Sequence, residues 1–239
     1  MKALIVAAGI SSRLYPLTRE LPKCLLEVGG KSIIRRSMDI LRERGVKDIC
    51  VVVGFKKEKI IKHLGDEVSY KFNPFYRMTN DMVSLWFGED FVGEEEFLYL
   101  HSDLVYEPEI LDKCLEADGD ILLVIDKKAC DEEDMKVRVE DGIVVESSKD
   151  IPLEEAYGEW IGIAKFSPYG GKKLFEEIED ILYEEENFNL YDTYAFTKMA
   201  RKGIPIYPVL TEGRRWIEID FIKELELARS WWKDPESER

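Results

Sequence analysis

The residues best suited to chemistry lie in one stretch near the amino terminus: Ala7-Ala8-Gly9-Ile10-Ser11-Ser12-Arg13-Leu14-Tyr15-Pro16-Leu17-Thr18, followed by Leu21-Pro22-Lys23. Small residues let backbone N–H groups come close to a polyphosphate. Arg13 offers a planar fork of donors and Lys23 a compact positive charge. On this reading Ala7, Ala8, Gly9, Ser11 and Ser12 cradle an anionic ligand, and Arg13 and Lys23 neutralise it. Taken alone, a Gly-x-Ser-Ser string is equally an ordinary strand-to-helix turn with two surface cations. Two later acids stand out. Asp103 closes the run Leu98-Tyr99-Leu100-His101-Ser102-Asp103, just past an apolar strand, and Asp220 closes Trp216-Ile217-Glu218-Ile219-Asp220. Singly, each is an acceptable helix N-cap.

The elements that must position these residues alternate. Apolar runs of strand length cover Ala3–Ala7, Ile49–Val53, Val68–Phe72, Phe97–His101 and Ile121–Ile125. Helical spacing covers Lys31–Arg44, Lys56–Leu64, Asn80–Phe87 and Pro108–Glu116. Repeated strand–helix units imply an α/β fold, a Rossmann-like, mainly parallel sheet with helices on both faces. Ligands of such sheets bind beyond the carboxyl ends of the strands, which directs attention to the loops after Ala7, Val53 and His101. The second half changes character. Lys136–Val139 and Ile143–Glu146 flank Asp141-Gly142, a hairpin signal, and Trp160–Phe166 reads as a further strand. Helices are expected over Pro168–Glu186, Asp192–Arg201 and Phe221–Trp232, a strand over Ile206–Val209, and a frayed tail over Lys233–Arg239. We expect one domain over residues 1–239: a first half (1–126), a second half with an inserted β-rich lobe (127–220), and a terminal helix and tail (221–239).

Composition narrows the partners. The 239 residues carry 34 Lys+Arg and 49 Asp+Glu, a formal net charge of −15. This opposes a nucleic-acid-binding face or an anionic membrane surface, both of which need clustered cations. No run reaches the roughly 20 apolar residues of a membrane span. Cys24, Cys50, Cys114 and Cys130 show neither C-x-x-C nor zinc spacing, so buried or half-buried thiols in a reducing, cytoplasmic setting are expected. The chain has no Gln and four Asn amid abundant Glu and Lys, a trend of heat-adapted proteins. Oligomeric state stays open, a homodimer among the options.

The full string G-x-x-[ST]-R-L-x-P-L-T-x-x-x-P-K, extended by Leu25-Leu26-Glu27-Val28-Gly29-Gly30-Lys31-Ser32-Ile33-Ile34, resembles the signature of the sugar-phosphate nucleotidyltransferase superfamily, in the strand–loop–helix setting it requires. Ser11 stands where many members have a second Gly; a Ser is tolerated there if the backbone needs no positive φ. Gly29-Gly30-Lys31-Ser32 imitates the end of a P-loop, but Leu25 occupies the position of its first Gly. Gly9-Ile10-Ser11 lacks the three glycines of a dinucleotide fingerprint. The resemblance implies that Asp103 and Asp220 are ligands of a catalytic divalent ion. Hard oxygen donors together with triphosphate suit Mg²⁺. His-Ser precedes Asp103 where relatives usually carry Gly.

Asn73-Pro74 and Met78-Thr79-Asn80-Asp81-Met82-Val83-Ser84-Leu85 resemble a segment of cytidylyltransferases acting on phosphocholine or inositol phosphate. That implies Asn80 and Ser84 near the nucleobase, with Gly54 abutting it. Ser148-Lys149 and Gly158-Glu159-Trp160-Ile161-Gly162 resemble the acceptor lobe. Lys149 would hold the acceptor phosphate, Glu159 its hydroxyls or cation, and Asp192 stands where relatives place an acid near the acceptor. Tyr157, Trp160, Trp231 and Trp232 read as packing aromatics, and His63 and His101 receive no role. The implied reaction joins CTP to a phosphorylated polyol and releases pyrophosphate. The short chain resembles inositol-1-phosphate and phosphocholine cytidylyltransferases, and the heat-adapted composition favours inositol-1-phosphate. Phosphocholine and sugar-1-phosphates are the alternatives, and a non-catalytic nucleotide-sugar sensor on the same fold is the alternative of another class.

Overall fold

A computed structural model describes residues 1–233. The expected frayed tail therefore lies, apart from Lys233, outside the described residues. In chain order the elements are β1 (Lys2–Ala7), β2 (Glu27–Val28), β3 (Lys31–Ser32), α1 (Ile33–Glu43), β4 (Asp48–Val53), α2 (Lys57–Leu64), β5 (Ser69–Phe72), α3 (Asp81–Trp86) and α4 (Glu89–Val92). There follow β6 (Phe97–His101), β7 (Leu104–Tyr106), α5 (Pro108–Glu116), β8 (Ile121–Asp126), β9 (Lys136–Glu140), β10 (Ile143–Ser148) and β11 (Gly158–Phe166). The chain continues with α6 (Pro168–Glu184), α7 (Asp192–Arg201), β12 (Tyr207–Leu210), β13 (Trp216–Glu218) and α8 (Ile222–Trp231).

Nine strands form one sheet, whose central path runs β5-β4-β1-β6-β11-β8-β12. The β1, β4, β5 and β6 pairings are parallel, as is β8 with β12; β11 runs antiparallel to β6 and β8. The expected mainly parallel sheet is therefore present, with β11 reversed inside it. The β9–β10 hairpin turns at Asp141 (φ 49) and Gly142 (φ 80), both left-handed as the Asp-Gly pair predicts, and joins the same sheet through Gly158 and Glu159 of β11.

Alternation along the strands divides the interior. Ala3, Ile5 and Ala7 of β1 join Val51 and Leu100 in a core covered by α1, α2 and α5. Leu4 and Val6 join Val52 and Tyr99 in a second core covered by α3, α6 and α7. Strands buried on both faces need apolar residues at every position, which is why they read as continuous runs. A third cluster, including Leu14, Ile33, Val105, Ile219 and Leu225, seats the first loop and α8. After β5 the chain crosses β1 to reach β6, so the order reverses between β1 and β6, and a crevice opens beyond their carboxyl ends. All four cysteines are free thiols, and Cys24, Cys50 and Cys114 are buried. Among the described residues no helix is long and apolar enough to cross a membrane.

Candidate active site

A cavity of about 390 Å³ occupies that crevice. Its walls include Ala7, Ala8, Gly9, Ser11, Ser12, Arg13 and Lys23 from the first loop, Asn80, Asp81 and Ser84 from α3, and Asp103 after β6. Lys149, Asp192, Glu218 and Asp220 complete the lining. The loop owes its shape to Ser11, which is left-handed at φ 55, and to the buried Thr18, whose hydroxyl donates to the Ser11 carbonyl at 2.6 Å. The condition set on a Ser at this position, a backbone without positive φ, is therefore not met. The left-handed residue starts the 3-10 turn Ser12–Leu14 that carries Arg13. A glycine would satisfy the same geometry at lower steric cost.

The charges converge on Lys23. Its Nζ lies 2.7 Å from Asp103 Oδ2 and 2.7 Å from Asp220 Oδ1, while Arg13 Nη1 lies 3.1 Å from Asp220 Oδ2. Burial alone would lower the Lys23 pKa; the carboxylates of Asp103, Asp220 and Glu218 overcome it and hold the ammonium well above its usual range. Burial would raise the Asp103 carboxyl, yet Lys23 and His101 keep it below the usual carboxylate range. Glu218 is pushed up to about 7, first by burial and then by the Asp103 charge. Glu218, the last residue of β13, and Asp220 two positions on both line the cavity, a signal present in Trp216–Asp220 but assigned only to its last acid. Asp103 Oδ1 is buried without a hydrogen-bond partner. Ligand atoms of His101, Asp103 and Glu218 lie within 4.8 Å of one another. An orphaned buried carboxylate oxygen beside further hard oxygen donors fits a divalent cation of the Mg²⁺ type.

The nucleotide-side expectations divide. Asn80 caps α3, its side chain accepting from Asp81 N at 3.0 Å, and Ser84 Oγ accepts from Asn73 Nδ2 at 3.0 Å; both face the cavity. Gly54 does not line it. A Cβ there would stand 2.5 Å from the Ala8 carbonyl and 2.8 Å from Tyr76 Cβ, so this glycine lets β4 back closely onto the first loop.

The acceptor-side expectations divide as well. Lys149 lines the cavity, 3.5 Å from Glu133 Oε2. Glu159 does not: it is buried against Lys128 at 2.9 Å, and burial pushes its carboxyl up to about 8. Its expected contact with an acceptor is corrected to packing at the β8–β9–β11 junction. Asp192 borders the cavity but is fully buried, accepting from Tyr99 Oη at 2.7 Å, His101 Nε2 at 3.1 Å and Thr193 N at 2.7 Å. Trp160 packs in the core and donates to the Ile163 carbonyl, as expected of a packing aromatic. His63 bonds Ser32 Oγ outside the site. His101, given no role from sequence, stands at the centre of the cavity wall. Burial opposes its charge, but Asp192, Asp81 and Asp103 prevail and push it up to about 10.

A phosphate-sized loop, a buried ammonium and hard carboxylates at the switch point of an open, mainly parallel sheet define a nucleotide-handling α/β protein. Residues 2–133 match the nucleotidyl transferase family, and the chain belongs to it. Over 95% of its length it is 29% identical to the CTP:phosphoglutamine cytidylyltransferase of Campylobacter jejuni, of which 98% is covered. Over 96% of its length it is 26% identical to the bifunctional IPC transferase and DIPP synthase of Aquifex aeolicus, of which it spans about half (51%). Among solved structures, the inositol-1-phosphate CTP transferase of T. maritima superposes with a TM-score of 0.80 at 22% identity, covering 98% of this chain and 96% of that one. The CTP:phosphocholine cytidylyltransferase of Streptococcus pneumoniae gives 0.78 at 23%, covering 97% and 99%. These superpositions bear out the nucleotidyltransferase-like fold.

Proposed function

We propose that this protein transfers a cytidylyl group from CTP to a phosphorylated small alcohol, releasing pyrophosphate, with inositol-1-phosphate as the first acceptor to test. The observation that carries the reading is the Lys23 ammonium, 2.7 Å from both Asp103 and Asp220 at the mouth of the small-residue loop. One point thus gathers a cation for phosphate and two acids for a metal. The choice of CTP draws support from the names of the Campylobacter relative and of the two neighbours above. The Campylobacter name also brings phosphoglutamine into the acceptor panel beside inositol-1-phosphate, phosphocholine and glucose-1-phosphate.

The acceptor phosphate is already an anion, so attack on the α-phosphorus needs no general base. Catalysis then rests on positioning and charge stabilisation. Ala7, Ala8, Gly9, Ser11 and Ser12 offer the phosphate cradle, and Arg13 and Lys23 neutralise the triphosphate. Asn80 and Ser84 face the base, and Lys149 meets the acceptor phosphate. Asp103 and Asp220, with Glu218 beside them, would hold Mg²⁺, which supplies charge neutralisation on the phosphate oxygens.

Pyrophosphate release with CTP and Mg²⁺ across the acceptor panel tests the reading. Lys23→Ala and Asp103→Ala should each lower kcat at least about 100-fold, the scale of removing one preorganised electrostatic contact. Near-normal rates in either variant refute these assignments. Binding of CTP without turnover by the wild type favours a sensor. Lys23→Ala also leaves two acids without their shared ammonium, which for a buried pair costs about 3–5 kcal/mol. Mg²⁺ should therefore raise the Tm of Lys23→Ala more than that of the wild type; equal shifts would argue against a cation between those acids.

A further inference from the structure

We infer that Asp81 reads the end of the acceptor remote from its phosphate, and that His101 is the positioning residue that holds Asp192, whose backbone N–H in turn fixes Asp81 for that task. This rests on the nucleotidyl-transfer reading above. Asp192 was the acid expected to meet the acceptor, yet it is fully buried and already accepts three hydrogen bonds, from Tyr99, His101 and Thr193. Asp81 is different. Its Oδ1 accepts from Asp192 N at 3.0 Å, which fixes the side chain. Its Oδ2 is 4.0 Å from His101 Nε2, beyond hydrogen-bond reach, and the side chain keeps 21% of its surface open on the cavity wall. It stands at the start of α3, the helix packed against α7. Asp81 therefore keeps one partly open oxygen free to accept, where Asp192 is fully buried with three bonds already made.

His101 cannot swing away. Its ring meets Tyr99 edge-to-face at 5.5 Å and 86°, and Trp160 at 5.0 Å and 77°. Behind it, Gly162 adopts φ +83 at the irregularity in the pairing of β11 with β8, and a Cβ there would come within 3.0 Å of the imidazole. The glycine bulge thus makes the space in which the imidazole lies. The ring spans the two acid clusters of the site, Asp81 with Asp192 on one side and Asp103 with Glu218 on the other.

A carboxylate oxygen with spare lone pairs recognises hydrogen-bond donors: hydroxyls, an amide or a primary ammonium. A trimethylammonium has no N–H and needs aromatic faces. Of the aromatic rings that border the cavity, Trp160 is only 3% exposed behind Tyr99, His101 and Phe196, while Tyr191 and Tyr76 already have Lys149 and Arg77 at 5.7 Å and 5.3 Å from their ring centroids. The acceptor class is therefore a phosphorylated small molecule with donors at its far end, and the panel separates a polyol from an amide or amine source.

The test measures KM and kcat of the full chain with CTP and Mg²⁺ against inositol-1-phosphate, phosphoglutamine and phosphocholine, for the wild type, Asp81→Asn, His101→Ala and His101→Gln. Asp81→Asn keeps an oxygen for Asp192 N. A donor-bearing acceptor should outperform phosphocholine in the wild type. Asp81→Asn and His101→Ala should raise the acceptor KM at least tenfold while the CTP KM stays within twofold. His101→Gln, which retains a donor near the Nε2 position, should recover an acceptor KM within threefold of the wild type. An unchanged acceptor KM in Asp81→Asn, equal rises for CTP and acceptor, no recovery in His101→Gln, or preference for phosphocholine each overturns the inference alone. A wild type that releases no pyrophosphate with any pair overturns the nucleotidyl-transfer reading first, and this inference with it.

Discussion

Gly9 and Ser11 lie two residues apart in one loop, and their substitutions should act through different states of the protein. A Cβ at Gly9 meets nothing within 4 Å, and its φ is not left-handed, so Gly9→Ala costs the fold little. The added methyl projects where backbone donors must approach phosphate closely. The CTP KM should rise about tenfold, about 1.4 kcal/mol, with Tm unchanged. A parallel fall in Tm would show that the glycine serves the fold instead. Ser11 carries the opposite burden. Its left-handed backbone costs roughly 1–2 kcal/mol, part of which a glycine returns as chain entropy in the unfolded state, so Ser11→Gly should stabilise by less than about 1 kcal/mol in chemical denaturation. Sequence spacing brought Arg13, Lys23 and the small residues to one loop, and they line one cavity because they are near neighbours. It did not disclose the backbone at Ser11, since a Ser is written the same way in either hand. Nor did it disclose Asp81 and His101. Asp81 meets Asp192 across 111 positions and His101 meets it across 91; α3 packs against α7, and the end of β6 reaches Asp192 through His101.

At the scale of elements, legibility followed length. The long strands and helices appear within a residue or two of their expected limits, because a buried strand or an amphipathic helix repeats its pattern several times. The pairs β2–β3 and β7–β13 span two or three residues each and leave no period to read, yet β7–β13 brings Glu218 opposite Leu104, next to Asp103. The reversal of β11 was hidden too, since strand direction depends on the connection rather than on composition. Helix α6 shows how contact can override local preference. Ser167 caps it, accepting from Gly170 N at 3.1 Å, and Pro168 follows at its first position. Two glycines then sit inside the helix, where alanine would be preferred by about 1 kcal/mol each. At Gly170 a Cβ would stand 2.1 Å from the Asp120 carbonyl, so the helix lies directly on the backbone leading into β8. Gly170→Ala should thus destabilise by about 1–3 kcal/mol, the cost of overpacking, despite its better propensity. A gain in denaturation midpoint would refute the close approach.

For the whole molecule the decisive element is β11, which pairs with β6, β8 and β9 and so ties residues 1–126 to residues 127–220 within one sheet. Without it β6 and β8 would each present an unpaired edge. Residues 1–126 and 127–220 should accordingly unfold together, with near- and far-ultraviolet circular dichroism giving coincident transitions; two separated midpoints would show independent halves. Glu159 lies on this seam and adds a pH signature. Burial raises its folded pKa to about 8, above the unfolded value near 4.5. The sign follows from linkage: its favourable contribution is complete below about 4.5 and is lost as pH rises through 8. Asp81 and Glu218, both raised to about 7, act in the same direction somewhat lower. The net charge of −15 changes little over this window, because most carboxylates are already ionised and the chain has two histidines. Without divalent cations, Tm should therefore fall from pH 6 to pH 9 in one transition. Glu159→Gln should make the fall shallower up to about pH 8 without abolishing it. Asp81 and Glu218 act over the lower part, and His101, pushed up to about 10, acts with the same sign above pH 6.5. An unchanged slope above pH 7 in that variant would mean that the Lys128 ion pair, at 2.9 Å, keeps the acid charged throughout.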